Sequence, residues 1–569
     1  MLIELWAILA LLLIVGFAYL KLNSTPRILM HNTNQPNTHR WDHASDYSLA
    51  LCAYCNKPLE GWFRLEGIQC KVCGISCHHF CARKIKVCKL ASVSTYKDSW
   101  SHDWKKVFIA KEKKCSYCSS LCGSVYDNSS FQCSWCAKCV HQKCIDLVVP
   151  DCDMDGCKNH IIHPAYVKMP NKKEKNHLRI EKLPKEIQPI VIIINPKSGG
   201  QIGETALKAF YSLVNPIQVI DVFCDYSRLK LFENMNDLRI LIAGGDGTVS
   251  KLLGTLYDED WKGEKPPIGI FPLGTGNDLS VVFNWGKGIK SRKGKNIGSM
   301  IECAHDAIKS TCKAYPSNLD RWAIRFTSKN KTKSFIMCNY LGIGVDAKIA
   351  DDFDKLRKSK PYLFQSRRGN RIIYSHLGGM EIINKAFKNF TSRITVNCDG
   401  KSLEIPSLEG ILFLNIPSYA GGVDLWGNRD DFISDSSESF ADKKSFALQD
   451  KQDGLLEMAG IYNSLHLGEC QVGFSQVLKL GQGRKYKIEI SGKEDIVFQI
   501  DGEPYTAKGP VSIEIFHKDQ VKILVKATER HHYVAKKALD VISWACDRGV
   551  IDATQKNIIL DEFSRRSKI

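Results

Sequence analysis

Three glycine-rich loops between residues 195 and 278 carry the residues best suited to chemistry. They are NPKSGG at 195–200, GGDGT at 244–248 and PLGTGND at 272–278, and each follows a short apolar run. Backbone N–H groups in loops of this kind can bind phosphate. A carboxylate among them, such as Asp246, can hold magnesium or accept a proton. The loops therefore predict a site for a phosphorylated ligand.

The elements around these loops have to bring them together. A short apolar run, a small-residue loop and a helical segment in series are typical of a buried parallel strand and its crossover. Three such units predict a parallel α/β sheet with its ligand at the carboxyl ends of the strands. Tight turns alone would account for the glycines, but not for an acid placed between them.

The first half of the chain is rich in cysteine, since 16 of its 23 cysteines lie between Cys52 and Cys157. Two stretches repeat one pattern: a His, a CxxC pair, a second CxxC pair, a His and two Cys. Thiolates and imidazoles at such spacings bind zinc, which replaces the core that about fifty residues cannot build. The predicted ligands are His39, Cys52, Cys55, Cys70, Cys73, His78, Cys81 and Cys88 in residues 39–88, and His102, Cys115, Cys118, Cys133, Cys136, His141, Cys144 and Cys152 in residues 102–152.

The N-terminal stretch is apolar from Leu5 to Leu20. About 19 helical residues reach roughly 28 Å, close to the hydrocarbon thickness of a bilayer. We therefore expect residues 1–22 to form a membrane anchor, single-pass or monotopic; a signal peptide and a buried helix are the alternatives. Lys21 follows the run and no basic residue precedes it, so the remaining domains are expected in the cytoplasm. The membrane is expected to be the endoplasmic reticulum or the plasma membrane.

Composition limits the class of protein and of partner. With 44% hydrophobic and 25% charged residues, the chain is neither mainly disordered nor a polytopic membrane protein. Its net charge of +18 favours an anionic partner. Nucleic acid is not expected, because a base-reading helix of the zinc-finger type is missing from the pattern and a lipid surface accounts for the charge equally well. The basic linker at 168–188 suits an anionic membrane.

The loop motifs, in their order, resemble the catalytic domain of the diacylglycerol kinase family. Later blocks continue the resemblance: NYLGIGVDA at 339–347, YAGG at 419–422, DGLLE at 453–457 and DGEP at 501–504. The resemblance implies a multidomain protein. Its parts would be the N-terminal transmembrane helix, two small zinc-bound modules, an α/β nucleotide-binding catalytic domain at 189–325, a mainly β accessory domain at 335–527 and a helical tail at 529–569.

The zinc modules resemble the diacylglycerol-binding domains of the protein kinase C type. That resemblance implies four ions, with ligand sets His39, Cys70, Cys73 and Cys88; Cys52, Cys55, His78 and Cys81; His102, Cys133, Cys136 and Cys152; and Cys115, Cys118, His141 and Cys144. The first module departs from the lipid-binding members at Leu49-Ala50-Leu51 and Leu65-Glu66-Gly67. We therefore expect these modules to act in folding or protein docking more than as diacylglycerol receptors.

The kinase resemblance also implies an activity. ATP would give its γ-phosphoryl group to the hydroxyl of membrane diacylglycerol, with magnesium and zinc as further cofactors and anionic phospholipids as partners. A different lipid acceptor, ceramide or sphingosine, and a catalytically dead zinc-module scaffold are the alternatives. Protein partners are not predicted.

Site residues follow from the same resemblance. Asp246, Asp501 and Glu503 are the implied catalytic residues, and the choice of general base between Asp246 and Asp501 stays open. The nucleotide is expected to contact Asn195, Ser198, Gly199, Gly244, Gly245, Gly247, Thr248, Gly274, Thr275, Gly276 and Asn277. Asp278, Asp346, Arg357 and Arg367 are expected on the substrate or phosphate side.

Overall fold

A computed structural model describes most of the second half of the chain and parts of the first. The described residues are 41–43, 52, 54–55, 59, 67–70, 76–84, 100–102, 104–106, 113–122, 130–133, 135–136, 138–168, 179–199, 202–223, 226–235, 237–258, 261, 263–289, 297–328, 331–360, 390–427, 446–527, 541–546, 548–552 and 554–560. The predicted anchor at 1–22 lies outside them, as do His39, Cys73, Cys88 and Arg367. Within these ranges, no helix has both the length and the apolar character needed to cross a bilayer.

The chain divides into two compact units, of which the smaller comprises Met1–Lys71 and Ile75–Ser92. It contains the first zinc module, with the antiparallel sheet β1 (Trp41–His43), β2 (Gly67–Cys70) and β3 (Ser76–His78). Its described core is small and consists of Cys52, Leu59, Ile68 and Cys77.

The larger unit, Val72–Gly74 with Val93–Ile569, begins with the second zinc module. Its strands are β4 (Trp104–Lys106), β5 (Lys113–Lys114), β6 (Leu121–Cys122), β7 (Ser130–Cys133) and β8 (Cys139–His141), paired as β4-β7-β8 and as the hairpin β5-β6. Trp100 and Trp135 of this module belong to one continuous core with the parallel sheet that follows. After it, β9 (Val167–Lys168) pairs with β10 (Arg179–Ile180).

The predicted parallel α/β sheet is present. Its strands β11 (Ile190–Ile194), β12 (Val219–Asp221), β13 (Arg239–Gly244) and β14 (Ile268–Pro272) run parallel in the order β12-β11-β13-β14. All residues of β11 and β14 are buried, as a strand covered on both faces requires. The helices are α1 (Ile202–Leu213), α2 (Asp246–Asp258), α3 (Asp278–Val282) and α4 (Ile297–Lys313).

This sheet continues without a break into strands formed by residues between 315 and 525. The long strand β26 (Val511–Val525) lies antiparallel to β15 (Tyr315–Ser328) along its whole length. It also pairs in parallel with β14, where Ile523 lies opposite Ile268. Beyond it the sheet extends through β16 (Lys331–Met337), β18 (Ile394–Cys398), β19 (Lys401–Leu403) and β23 (Lys485–Ile490). The division predicted between residues 325 and 335 therefore falls inside a continuous sheet.

A second sheet makes the accessory half mainly β, as predicted. It is antiparallel, in the order β22-β21-β20-β17-β24-β25, and consists of β17 (Tyr340–Gly344), β20 (Gly410–Leu414), β21 (Leu456–Ile461), β22 (Leu478–Gly483), β24 (Asp495–Ile500) and β25 (Glu503–Lys508). Helices α5 (Val345–Ser359) and α6 (Ser464–Val472) accompany it. In the tail, residues 541–546 and 554–560 are helical.

Candidate active site and zinc centres

Asp246, Asp501 and Glu503 lie close together where the start of α2 meets the turn that joins β24 to β25, and the space around these three acids is called the cleft. Asp246 is the first residue of α2, and Ser250, one helical turn later, donates its hydroxyl to Oδ2 of Asp501 at 3.1 Å. Glu503 lies against the same helix, because a Cβ added at Gly247 would be 3.5 Å from its Oε1. Acids from two distant parts of the sequence, Asp246 on one side and Asp501 with Glu503 on the other, thus converge.

The carboxylate of Asp246 is held by the start of α3. Its Oδ2 accepts the backbone N–H of Asp278 at 2.9 Å, and its Oδ1 accepts that of Leu279 at 3.2 Å. Burial, together with the nearby charge of Asp278, raises the pKa of Asp246 to about 7 against these two hydrogen bonds. The carboxyl group of Asp246 therefore holds its proton more strongly than an ordinary aspartate does.

Asp501 is held more tightly. Its Oδ1 accepts the N–H groups of Asn339 at 2.7 Å and Tyr340 at 3.2 Å, and its Oδ2 accepts that of Cys338 at 3.0 Å. Its φ of 50° lies in the left-handed region, and the adjoining Gly502 N–H is fixed by Gln499 Oε1 at 2.7 Å. Burial raises the pKa of Asp501 to about 6, which is less than for Asp246 because these hydrogen bonds favour the ionised form.

The glycine loops pack backbone against backbone beside these acids. A Cβ at Gly245 would lie 2.9 Å from Cα of Gly274, and one at Gly274 would lie 2.5 Å from Cα of Gly245. A Cβ at Gly199, whose φ is 65°, would lie 2.4 Å from the carbonyl oxygen of Leu273. Close approach of the loops therefore requires glycine at these positions, whatever ligand the loops also bind. Gly276 lines the same cleft, since its Cβ would be 3.1 Å from Oδ2 of Asp246.

Polar side chains fasten the loops to one another. Asn195 donates its Nδ2 to Oγ1 of Thr248 at 3.0 Å. Buried Asn277, at a φ of 58°, donates its Nδ2 to the carbonyl oxygens of Gly274 at 2.9 Å and Lys287 at 3.0 Å. Its Oδ1 finds no hydrogen-bond partner among the described groups.

The other predicted nucleotide residues lie on these loops. Ser198 turns the first loop by donating its N–H to the carbonyl oxygen of Asn195 at 3.1 Å. Gly244 is the last residue of β13 and packs against Thr248. A Cβ added at Gly244 would lie 2.6 Å from the Cβ of Thr248. Thr275 stands between Gly274 and Gly276 in the loop after β14. The structure thus brings the predicted nucleotide residues to one edge of the sheet.

Two of the predicted substrate-side residues, Asp278 and Asp346, are buried and hydrogen-bonded to neighbouring loops and strands. Asp278 accepts the Ser418 hydroxyl at 2.6 Å and the Gly421 N–H at 2.8 Å, so it fastens the loop 418–422 to α3. Asp346, buried at the start of α5, accepts hydrogen bonds from the Tyr419 hydroxyl and from Nε2 of Gln499, the latter at 3.0 Å. These contacts assign both acids to holding the walls of the cleft.

Arg357 lies at the far end of α5 from Asp346. It lies in the last turn of α5, about 16 Å of helix from Asp346, where its exposed side chain pairs with Asp354 at 2.7 Å. Sequence reasoning missed Ser250, Ser418, Tyr419 and Gln499, which hold the acids. Two of them carried a signal: Ser250 stands four residues after Asp246 on a predicted helix, and Tyr419 begins the YAGG block at 419–422.

Three groups of Cys and His side chains have the arrangement of zinc sites. They are Cys52, Cys55, His78 and Cys81; His102, Cys133, Cys136 and Cys152; and Cys115, Cys118, His141 and Cys144. Within each, one ligand atom from every residue lies within 4.8 Å of the others. Zinc–sulfur bonds of about 2.3 Å place ligands of a tetrahedron about 3.8 Å apart, and Sγ of Cys133 lies 4.0 Å from Sγ of Cys152. The donor sets therefore fit zinc. Of the remaining predicted set, only Cys70 lies within the described residues.

Comparison with known protein families agrees with this geometry. Residues 189–308 match the diacylglycerol kinase catalytic domain, and residues 336–504 match the diacylglycerol kinase accessory domain. Residues 39–90 and 102–155 match the phorbol esters/diacylglycerol binding domain, or C1 domain.

Relatives include a probable diacylglycerol kinase 3 from Caenorhabditis elegans, 30% identical, with 87% of this chain and 65% of that protein covered. Diacylglycerol kinase 2 from Arabidopsis thaliana is 29% identical, with 87% and 84% covered. Diacylglycerol kinase theta from Homo sapiens is 33% identical, with 57% and 33% covered. The domains and these relatives together show that the chain belongs to the diacylglycerol kinase family.

Proposed function

We propose that this chain transfers the γ-phosphoryl group of ATP to the free hydroxyl of 1,2-diacylglycerol, giving phosphatidic acid and ADP. The observation that carries the proposal is the meeting of Asp246 and Asp501 in one cleft, beside glycine loops at the carboxyl ends of parallel strands. Such loops suit a phosphate-rich ligand. Acids with pKa values of about 7 and about 6 suit proton transfer near neutral pH.

The cleft fits magnesium and nucleotide. Magnesium prefers oxygen ligands, and the carboxylates of Asp246, Asp501 and Glu503 and the unpartnered Oδ1 of Asn277 supply oxygen atoms. When bound, magnesium would neutralise the charge that develops on the phosphates. The backbone N–H groups of the glycine loops would hold the phosphates at the strand ends.

The acids would act on the acceptor hydroxyl. Phosphoryl transfer depends on an in-line hydroxyl and charge neutralisation more than on a strong nucleophile. A hydroxyl within hydrogen-bond distance of Asp246 or Asp501 would pass its proton to that carboxylate as the new bond to phosphorus forms. Asp278 and Asp346 keep the cleft walls in place through their bonds to the loop 418–422 and to Gln499.

The N-terminal apolar stretch and the basic linker would place the enzyme at a membrane. The apolar stretch at 5–20 would anchor the chain in the endoplasmic reticulum or plasma membrane with the catalytic domains cytoplasmic, and the basic residues of the linker would face anionic phospholipid. The order of hydrophobic stretch, two zinc modules, catalytic domain and accessory domain is that of the epsilon type of diacylglycerol kinase. In that role the protein would lower diacylglycerol signalling and supply phosphatidic acid for phosphatidylinositol resynthesis. Alkaline carbonate extraction tests the anchor, because full-length protein should stay in the membrane pellet and a chain lacking residues 1–22 should not.

Labelled ATP with magnesium and detergent-dispersed lipids tests the activity. Diacylglycerol, ceramide and sphingosine are offered separately to the purified full chain, with Asp246→Asn as the inactive control. The proposal expects labelled phosphatidic acid and a kcat/KM for diacylglycerol at least tenfold above that for the other lipids. A preference for ceramide or sphingosine would change the acceptor, and no transfer to any lipid would leave the scaffold alternative.

A further inference from the structure

The hydrogen bonds to Asp501 come from two different parts of the fold. Among the described residues, three are backbone N–H groups of residues 338–340, at the start of β17 in the accessory half. The fourth comes from the Ser250 hydroxyl on α2, which belongs to the α/β sheet. Within the described residues, Ser250 is thus the direct hydrogen-bonding link from the catalytic helices to the Asp501 carboxylate.

Helix geometry makes this link specific. Residues four apart lie on the same face of a helix, so Ser250 and Asp246 both face the cleft. The carboxylate of Asp246 is oriented by α3, while that of Asp501 is oriented by β17. The two acids are therefore fixed by separate elements, and the bond from Ser250 sets the position of one relative to the other.

We propose that Ser250 is a positioning residue, whose hydroxyl holds the Asp501 carboxylate in register with Asp246 for phosphoryl transfer. This inference rests on the proposed function for its kinetic readout. Its structural readout, a coupling between Ser250 and Asp501 in the folded protein, does not. The hydroxyl itself is not expected to touch ATP or diacylglycerol.

Helix α2 supplies a matched control. Thr255 also carries a hydroxyl, but it donates to the carbonyl oxygen of Lys251 at 3.1 Å within the same helix. Thr255→Ala therefore removes a hydroxyl from α2 without touching either acid. Ser250→Thr keeps the donor and adds one methyl group, so it tests whether the hydroxyl is what matters.

The kinetic test uses the full-length chain with diacylglycerol and ATP·Mg. A hydrogen bond to a charged group is worth about ten- to a hundredfold in an equilibrium or a rate. We expect Ser250→Ala to lower kcat by that amount with the KM for ATP within twofold, Ser250→Thr to stay within about threefold of wild type, and Thr255→Ala to match wild type. A kcat of Ser250→Ala above half of wild type, or an equal loss in Ser250→Thr, would overturn the proposal.

Double-mutant cycles separate positioning from general damage. If Ser250 acts through Asp501, the double variant Ser250→Ala/Asp501→Asn should have nearly the same kcat and the same free energy of unfolding as Asp501→Asn alone. Full additivity in both measurements would contradict the link. The unfolding cycle needs no substrate, so it decides the Ser250–Asp501 contact even if the wild-type chain phosphorylates a lipid other than diacylglycerol or none. ADP·Mg affinity measured by calorimetry should be unchanged in Ser250→Ala, and a loss of tenfold or more would instead place Ser250 in nucleotide binding.

Discussion

Asp246 and Glu457 are both carboxyl groups whose pKa burial raises, to about 7 and about 8, yet they stand in opposite surroundings. Asp246 keeps accessible surface in a cleft and accepts two backbone N–H groups. Glu457 is fully buried in β21, where it accepts Nε2 of Gln449 at 3.1 Å and Nε2 of Gln482 at 2.9 Å. A raised pKa reports burial in both cases, and only the accessible acid can reach a substrate.

The largest expected effect is that of Asp246→Asn on turnover. Asparagine keeps the shape and removes the negative charge, so kcat should fall by about two to four powers of ten. The fold should persist, which circular dichroism and the melting temperature would show. A variant that retained more than about a tenth of wild-type kcat would contradict the comparison, because Asp246 would then be no more catalytic than Glu457.

Asp501→Asn should have the next largest effect, a loss of about two to three powers of ten in kcat. If Asp501 accepts the hydroxyl proton, the KM for ATP should hardly change and extra magnesium should not help. If Asp246 holds magnesium, the loss in Asp246→Asn should be partly relieved as magnesium is raised. Titrating magnesium for both variants thus assigns the two roles, and identical responses would refute a division of labour.

Gly245→Ala tests whether the cleft depends on close loop packing. The new Cβ would lie 2.9 Å from Cα of Gly274, so we expect a loss of about 1–3 kcal/mol in the free energy of unfolding, together with reduced turnover. Gly254→Ala in α2 is the matched control. Its Cβ would contact only Oδ2 of Asp258, at 3.9 Å. Because alanine favours the helix over glycine, Gly254→Ala should raise the free energy of unfolding by about 0.5–1 kcal/mol. Urea unfolding measures both, and equal stability of the two variants would rule out the packing explanation.

The smallest effect on activity is expected for Glu457→Gln. The folded pKa of Glu457, about 8, lies above the value of about 4.3 expected for an unfolded chain. The folded state therefore binds more protons in this window, and the contribution of Glu457 to stability is full below about pH 4.3 and is lost as pH rises through 8. Glutamine cannot ionise, so the variant should melt several degrees above wild type at pH 8 and show less decline between pH 5.5 and 8.

Kinase activity of Glu457→Gln should stay within about twofold of wild type, because nothing places Glu457 at the cleft. A hundredfold loss with an intact fold would show that burial alone had hidden a functional acid. Unchanged melting behaviour between pH 5.5 and 8 would show instead that Glu457 does not titrate in that range.

Local patterns predicted much of the site, and long-range pairing supplied the rest. The three glycine loops and Asp246 could be predicted because an apolar strand followed by a small-residue turn is a local signal. The contact between Ser250 and Asp501 could not, since 251 residues separate them and the pairing depends on how β24 meets β17.

Other positions show the same limit. The resemblance placed Arg357 on the substrate side, but the length of α5 carries it away from Asp346. Gly245 was expected to contact the nucleotide, and the structure adds a backbone neighbour, Gly274, which a single sequence does not reveal. The roles of the predicted catalytic residues themselves stay predictions until the variants are measured.

The placement of β26 has a consequence for how the protein is made. Near its end, β26 pairs with β14 in the parallel sheet through Ile523 and Ile268, so this edge of β14 has no β26 partner while the ribosome is still synthesising the intervening 238 residues. An exposed strand edge invites pairing with other chains, and domains otherwise tend to fold as they emerge. We therefore expect nascent chains that stop before residue 511 to bind chaperones and to be cut readily by protease, with protection arriving only after residue 525 has left the exit tunnel.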